Sequence, residues 1–315
     1  MSEIILEAKD VSCIFPASKG RNLVANDRIS LRVEKGEILG IAGESGCGKS
    51  TFVRMVMQLL KPSAGEILFE GKNITGLKGK EKRMNRRNIQ MVFQDPSDSF
   101  SPKMKIKEIL CEPLLNFKLI TKSEVNSTAR SLLKMVDLPE EFADRYPHNM
   151  SGGQRQRVGI ARALSLEPSI LICDEATSAL DVSVQKNIIE LLLRLQKEKN
   201  ITILMICHDI ALVRQITTRT VVMYLGNIVE IVPGKQLGTG LTHPYTEALK
   251  RAVFSVDMDY SKPIESIESE TPSPLNVPPG CPFQNRCEAC MDICKIEKPT
   301  LKTVEKGHQI ACHLF

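Results

Sequence analysis

The run Gly43-Glu44-Ser45-Gly46-Cys47-Gly48-Lys49-Ser50-Thr51 carries the plainest chemistry in the chain. It fits G-x-x-x-x-G-K-[ST], a pattern whose glycines let backbone N–H groups close around phosphates. In that pattern Lys49 reaches the β/γ-phosphates and Ser50 binds Mg²⁺. The flanks support the assignment. Ile38-Leu39-Gly40-Ile41-Ala42 is a short apolar run of the kind buried in a parallel sheet, and Phe52 to Leu60 is largely apolar without Gly or Pro. The expected order is strand, loop, helix, with a helix starting near Gly48 and aiming its free N–H groups at the phosphates.

A second apolar run, Ile170-Leu171-Ile172-Cys173, ends in Asp174 and Glu175, and strand ends are where α/β proteins place ligands. A third, Ile201 to Cys207, ends at His208. Taken singly, such a histidine is more often structural, and Gln94 in Met91-Val92-Phe93-Gln94-Asp95-Pro96 is an ordinary loop glutamine. Their order along one chain changes the reading, because Ser151-Gly152-Gly153-Gln154 lies between them.

That tetrapeptide downstream of a phosphate loop resembles the signature of the ABC (ATP-binding cassette) ATPases. The resemblance implies that Ser151, Gly152, Gly153 and Gln154 close over an ATP held by a partner subunit, so that two subunits act head to tail. It implies a Walker B role for Asp174 at Mg²⁺, a general-base role for Glu175, a D-loop at Ser178-Ala179-Leu180-Asp181 and a γ-phosphate contact for His208. Gln94 takes the place of the Q-loop glutamine near Mg²⁺, at the hinge to a helical subdomain that docks a membrane partner. Phe15, in Cys13-Ile14-Phe15-Pro16, is placed to stack on adenine, with a core position as the alternative. The implied fold is α/β: a P-loop NTPase ABC cassette with a RecA-like parallel-sheet core, an antiparallel β subdomain, a helical subdomain and a small Cys-rich C-terminal extension.

Composition agrees. The 315 residues are 42% hydrophobic and 25% charged, enough for one large α/β core with an appendix. A net charge of +5 is too small to argue for nucleic acid, and none is expected as a partner. The basic run Lys78 to Arg87 reads as a solvated face. No apolar run approaches the roughly 18 residues of a membrane span, and Met1-Ser2-Glu3-Ile4-Ile5 lacks signal-peptide character. If the chain serves transport, other chains make the pore.

Antiparallel strands are expected at about residues 3–15 and 28–34, helices at Ile106–Leu115, Ser123–Val136 and Gly152–Leu164 with Ser151 as N-cap, a helix at Ser183–Gln196, and strands through Val221–Val232. The domain reading is 1–235 for the nucleotide-binding domain, with its helical subdomain at about 95–164. A helix and Pro/Ser-rich linker follow at 236–280 and a Cys-rich extension at 281–315.

Of ten cysteines, Cys281, Cys287, Cys290, Cys294 and Cys312 lie in that extension. Without a secretory signal, clustered cysteines argue for metal before disulfides, and four thiolates suit either zinc or a [4Fe–4S] cluster. Reduced free thiols are the alternative. Cys13, Cys173 and Cys207 sit in apolar runs as small buried side chains, whereas Cys47 is expected to be acidified by the loop amides and Lys49, and so prone to alkylation.

The tail, with Gly280-Cys281-Pro282-Phe283, Arg286-Cys287 and Ala311-Cys312-His313, resembles the extension of the dipeptide/oligopeptide importer ATPases. Gln94-Asp95-Pro96, Tyr146-Pro147-His148 and His243-Pro244-Tyr245 fit the same subfamily. The resemblance implies Cys281, Cys287, Cys294 and Cys312 as ligands of an iron–sulfur cluster, with Cys290 as an extra. It also implies a paralogous or identical ATPase partner, two integral membrane permease subunits and an extracytoplasmic solute-binding protein, with this chain at the cytoplasmic face of the membrane. Peptide is the expected cargo; nickel or another small solute, or a non-transport soluble ABC ATPase, are the alternatives. Met150 in place of the signature's usual Leu, and Phe100-Ser101-Pro102 in place of Leu-Asn-Pro, are small departures.

Overall fold

The computed structural model describes residues 3–17, 21–94, 99–176, 180–207, 209–251, 273, 275 and 277–315. The chain divides into two compact units, Met1–Leu77 with Ile206–Phe315, and Lys78–Met205.

In the first unit, β1 (Ile4–Pro16) and β2 (Asn22–Glu34) form a long antiparallel pair, and β4 (Ala64–Phe69) and β5 (Lys72–Asn73) complete a four-stranded sheet in the order β2-β1-β4-β5. Alternation is clean in β2, where Ile29, Leu31 and Val33 are buried while Arg28, Ser30 and Arg32 are exposed. The second strand starts six residues earlier than the 28–34 expected from the sequence, since the consecutive Leu23, Val24 and Ala25 before Asn26 and Asp27 show no alternation.

The same unit holds β3 (Ile38–Ala42), every residue of it buried, and parallel to β9 (Arg219–Tyr224). An antiparallel turn at Leu225-Gly226 leads to β10 (Asn227–Pro233). The tail then adds β12 (His308–Ile310) to the free edge of β10, and β11 (Lys302–Glu305) pairs with β12. This hairpin was not expected, because two strands of three and four mostly polar residues carry no hydrophobic period. Helices α1 (Lys49–Val56), α7 (Ile210–Ile216), α8 (Pro244–Arg251) and α9 (Asp292–Ile296) complete the unit.

In the second unit, α2 (Gly79–Asn88), with no buried residue, leads into β6 (Ile89–Val92), which runs parallel to β7 (Ile170–Asp174); β8 (Thr202–Ile206) flanks β7 on its other side. Between β6 and β7 come α3 (Ile106–Asn116), α4 (Val125–Met135) and α5 (Gly152–Leu164), each within two residues of its expected span. The last, α6 (Val182–Lys199), buries Ile188, Ile189, Leu192 and Leu195 as its spacing requires. Among the described residues no helix is long and apolar enough to cross a membrane.

Candidate functional site: a phosphate loop and a capped signature helix

The phosphate loop joins β3 to α1, and its backbone needs its glycines. Gly43 has φ of +146° and a Cβ there would come 2.3 Å from the Met223 carbonyl oxygen; Gly48, at φ +106°, would put one 2.3 Å from that of Ala25. Both approaches exclude any side chain. Gly46, at φ +77°, has open space around it, so only its dihedral asks for glycine.

The loop is braced from its own unit. Asn26 Nδ2 donates to the Gly48 carbonyl at 3.2 Å, the Gly226 N–H donates to the Cys47 carbonyl at 2.9 Å, and the Glu44 N–H donates to the Tyr245 hydroxyl at 2.8 Å. Lys49 is 4% exposed, and its ammonium donates to the carbonyls of Gly43 at 2.7 Å and Glu44 at 2.8 Å. Its charge is thus fixed inside the loop, where β/γ-phosphates would need it. Ser50 and Thr51 follow in the first turn of α1, both half-buried, and Ser45 is exposed in the loop.

The expectation for Cys47 is overturned. Its thiol is 1% exposed, and burial pushes its pKa up, outweighing the nearby Lys49 charge. A protonated, covered thiol is a small core side chain rather than a reactive one. Phe15, by contrast, is 37% exposed at the end of β1 and belongs to no core.

In the second unit the signature opens α5 as expected. Ser151 Oγ accepts the Gln154 N–H at 3.3 Å, and Gln154 Oε1 accepts the Ser151 N–H at 3.0 Å, a reciprocal capping box. Ser151 is exposed, with Gly152, Gly153 and Gln154 half-buried, so this helix start faces outward. A Cβ on Gly153 would meet Val184 Cγ1 at 2.5 Å, which explains the second glycine as the place where α6 crosses closely.

Asp174 ends β7 and Glu175 follows it with φ of +49°, a left-handed conformation that a non-glycine side chain adopts at a cost of order 1 kcal/mol. Asp181, the residue before α6, is exposed, as is the adjoining Val182. Gln94 is exposed two residues after β6, and the buried Gln156 of α5 donates to the carbonyl of its neighbour Phe93 at 3.5 Å. That link between the signature helix and the Gln94 segment was not foreseen; a glutamine one turn into an amphipathic helix carries no distinctive signal. His208, Ser178, Ala179, Asp95 and Pro96 lie outside the described residues.

The cysteine tail packs into an apolar cluster of the first unit. Cys281 and Cys294 are buried with Tyr224, Tyr245 and Phe283, and Cys287 and Cys290 lie against the same cluster. Cys312 is buried as well. The Cys281 N–H donates to the Cys294 carbonyl at 2.7 Å, and Gly280 is required there, since a Cβ would come 2.4 Å from that oxygen. Burial pushes the Cys281 thiol up to about 11 and raises those of Cys287 and Cys312, against hydrogen bonds offered by the backbone of Phe283, Ala289 and Leu314. Among the described residues no three His, Cys, Asp or Glu side chains come together as a group that could hold a metal ion. The thiols as placed therefore do not form the ligand shell expected from their resemblance.

A buried polar network fastens the tail to β10. Glu230, 0% exposed, meets His308 Nε2 at 2.8 Å through Oε1, while Oε2 accepts from the His243 N–H at 3.2 Å and from the Thr246 hydroxyl. His243 Nδ1 accepts the Tyr245 N–H at 3.0 Å, and burial lowers its pKa to about 4. The sequence flagged His243 only as part of the His243-Pro244-Tyr245 pattern.

A strand–phosphate loop–helix unit with an interior lysine, and a parallel pair ending in Asp174-Glu175, define a P-loop nucleoside triphosphatase. Comparison with known proteins narrows this. Residues 26–178 match the family described as ABC transporter, and residues 229–294 match the oligopeptide/dipeptide transporter C-terminal region. Over 322 residues the chain is 45% identical to the oligopeptide transport ATP-binding protein AppF of Bacillus subtilis, covering 99% of this chain and 98% of that protein. It is 44% identical over 320 residues to the "Probable peptide ABC transporter ATP-binding protein y4tS" of Sinorhizobium fredii, covering 100% of this chain and 91% of that one. Among solved structures, the dimeric post-hydrolysis ATP-binding cassette MJ0796 bound to ADP and Pi has a TM-score of 0.66 at 32% identity, covering 73% of this chain and 98% of that one. A second, cbiO1 of Clostridium perfringens, also has a TM-score of 0.66 at 32% identity, covering 74% and 90%. The chain belongs to the ABC transporter ATP-binding proteins, and within them to those with the oligopeptide/dipeptide C-terminal region.

Proposed function

We propose that this chain binds and hydrolyses ATP as one of the two nucleotide-binding subunits of a membrane importer of di- and oligopeptides. The observation that carries the reading is the pairing, in one chain, of a phosphate loop built around the buried Lys49 with an outward-facing capped helix start at Ser151. The loop serves the chain's own ATP. The Ser151–Gln154 amides suit the ATP of a second subunit, paralogous or identical, so that each nucleotide joins two chains.

In this mechanism Lys49 offers its charge to the β/γ-phosphates, the first amides of α1 orient them, and Phe15 covers the adenine. Ser50, Gln94 and Asp174 supply a hydroxyl, an amide and a carboxylate, an oxygen donor set suited to Mg²⁺. Bound there, the ion supplies neutralising charge on the phosphates. Glu175 orients the attacking water and takes its proton, His208 is assigned the γ-phosphate, and Asp181 lies at the face offered to the partner subunit. Binding closes the pair and hydrolysis reopens it. The segment around Gln94, joined to α5 through Gln156, passes that movement to two permease subunits at the cytoplasmic face, which admit solute from an extracytoplasmic binding protein.

Peptide as cargo rests on the names of the relatives and on the C-terminal region. Proteoliposomes holding the chain with its co-purifying permease subunits test it. ATP-dependent uptake of a labelled peptide, lost in Lys49→Ala, is expected. ATP-dependent uptake of Ni²⁺ without peptide uptake overturns the cargo; no ATPase activity overturns the whole reading.

A [4Fe–4S] cluster on Cys281, Cys287, Cys294 and Cys312, or zinc in its place, is a separate proposal, motivated by the four buried or half-buried thiols, of which Cys281, Cys287 and Cys312 have backbone hydrogen-bond donors. The side chains do not fit a ligand shell as placed, and no step above runs through it. Metal analysis after anaerobic purification decides it: about four irons per chain supports the cluster, and metal-free protein rejects it.

A further inference from the structure

Glu44 is the only acidic residue of the phosphate loop 43–51. A carboxylate at that place works against the loop's task, since it adds negative charge to a loop that the amides and Lys49 make a seat for a polyanion. The structure answers that conflict from the far end of the chain. Arg286 of the cysteine-rich tail, 242 residues on, grips both oxygens of Glu44: Nη1 donates to Oε2 at 2.7 Å and Nη2 to Oε1 at 2.9 Å. The Arg286 side chain is 4% exposed and that of Glu44 20%. This is a fork-to-fork pair, the strongest geometry for such an ion pair, sheltered from competing water and salt.

The guanidinium is itself held in place. Nη1 also donates to the Tyr224 hydroxyl at 3.3 Å, and the Arg286 N–H donates to the Phe283 carbonyl at 3.0 Å. The rings of Tyr224, Tyr245 and Phe283 pack on one another with centroids 4.6 to 5.3 Å apart. Tyr245, from the same wall, accepts the Glu44 N–H at 2.8 Å. Backbone and side chain of one loop residue are thus both fixed by residues that follow the nucleotide core in sequence.

We propose that Arg286 is a positioning residue for nucleotide binding, which cancels the charge of Glu44 beside the phosphate site and pins the first turn of the phosphate loop. The cysteine-rich extension is then a working part of the ATP site and not an appendix to it. The inference rests on the reading above that this loop holds ATP.

The test is MgATP and MgADP binding by calorimetry on the purified full chain, with melting temperatures alongside, for wild type, Arg286→Gln, Arg286→Lys and Glu44→Gln/Arg286→Gln. At roughly 7 Å and an effective dielectric of roughly 35, exposing the phosphates to the Glu44 charge is worth about one decade in Kd. Arg286→Gln is expected to weaken ATP about tenfold, to weaken ADP less because it carries less charge, and to lose part of the effect in high salt. Arg286→Lys, which keeps charge without the fork, lies between. The double variant is expected to bind ATP within about threefold of wild type, because the charge that needed cancelling is gone.

A purely structural clasp gives another pattern: equal loss for ATP and ADP, in step with a lower melting temperature, and no recovery in the double variant. That result overturns the proposal, as does wild-type affinity in Arg286→Gln. If Arg286→Gln does not fold, the lysine and double variants carry the same comparison. Wild-type protein that binds no MgATP removes the parent reading instead, so the two failures are distinct.

Discussion

His308→Ala removes the partner of a carboxylate with no solvent access. Glu230 is 0% exposed and His308 2%, and their side chains meet at 2.8 Å between β10 and β12. Breaking a buried pair by taking one member costs about 3–5 kcal/mol when the remaining charge stays, and about 1–3 kcal/mol when only a hydrogen bond is lost. Burial raises the Glu230 carboxyl, against the Thr246 and His308 hydrogen bonds, so part of the penalty is relieved by protonation. The working value is about 3 kcal/mol, localised to the tail hairpin and its contact with β10. Amide hydrogen exchange reads that locally: protection at Gln309, Ile310 and Ile231 is expected to fall by roughly a hundredfold, while β6 and β7 are unchanged. His308→Gln, which can still hydrogen-bond, is expected to lose about a tenth as much protection as that. Glu230→Gln/His308→Ala is expected to recover part of the loss. A change under about threefold in His308→Ala, or a double variant worse than the single, refutes the claim that this pair fastens the tail.

Two further predictions follow from burial. His243 has its pKa lowered from 6.5 to about 4 by burial, so between those values the unfolded chain binds a proton the folded chain does not. Stability from this group is full above pH 6.5 and declines by about 3 kcal/mol as pH falls toward 4; the Glu230 carboxyl, itself raised by burial, lies in the same network, so the wild-type curve is compared with that of His243→Gln, which is expected to be flatter by that amount. Cys47, covered and protonated, is expected to resist alkylation in the native chain under conditions that label the half-buried Cys290, as read by peptide mass spectrometry; rapid labelling at Cys47 contradicts the burial.

The elements that carry the proposed nucleotide site were legible because their signals are local. A glycine pattern, an apolar strand before it and a capping residue before a helix each act within a few residues, and β3, α5 and β7 fall where those signals put them. What was not legible depends on contacts distant in sequence. Nothing in Arg286 or Glu44 announces the other across 242 positions, and the His243-Pro244-Tyr245 pattern does not show that Tyr245 meets the phosphate loop. The tail hairpin escaped because β10 supplies its order rather than any period of its own. Cys47 was misjudged for a related reason: adjacency to Lys49 is visible in sequence, whereas burial to 1% exposure is not, and burial outweighs the charge. The cysteine spacing likewise names donors without placing them: Cys281, Cys287, Cys290 and Cys294 share an apolar wall, and with Cys312 they form no ligand shell.

The central claim is that the loop around Lys49 and the strand end at Glu175 perform ATP hydrolysis. The most direct measurement is the steady-state ATPase rate of the chain with its co-purified partner subunits, wild type against Glu175→Gln, with MgATP binding measured on the same samples. The account predicts unimpaired binding and hydrolysis slowed by roughly a hundredfold or more, as expected when a general base is lost. Undiminished turnover in Glu175→Gln, or a wild type that binds MgATP and never hydrolyses it, contradicts it.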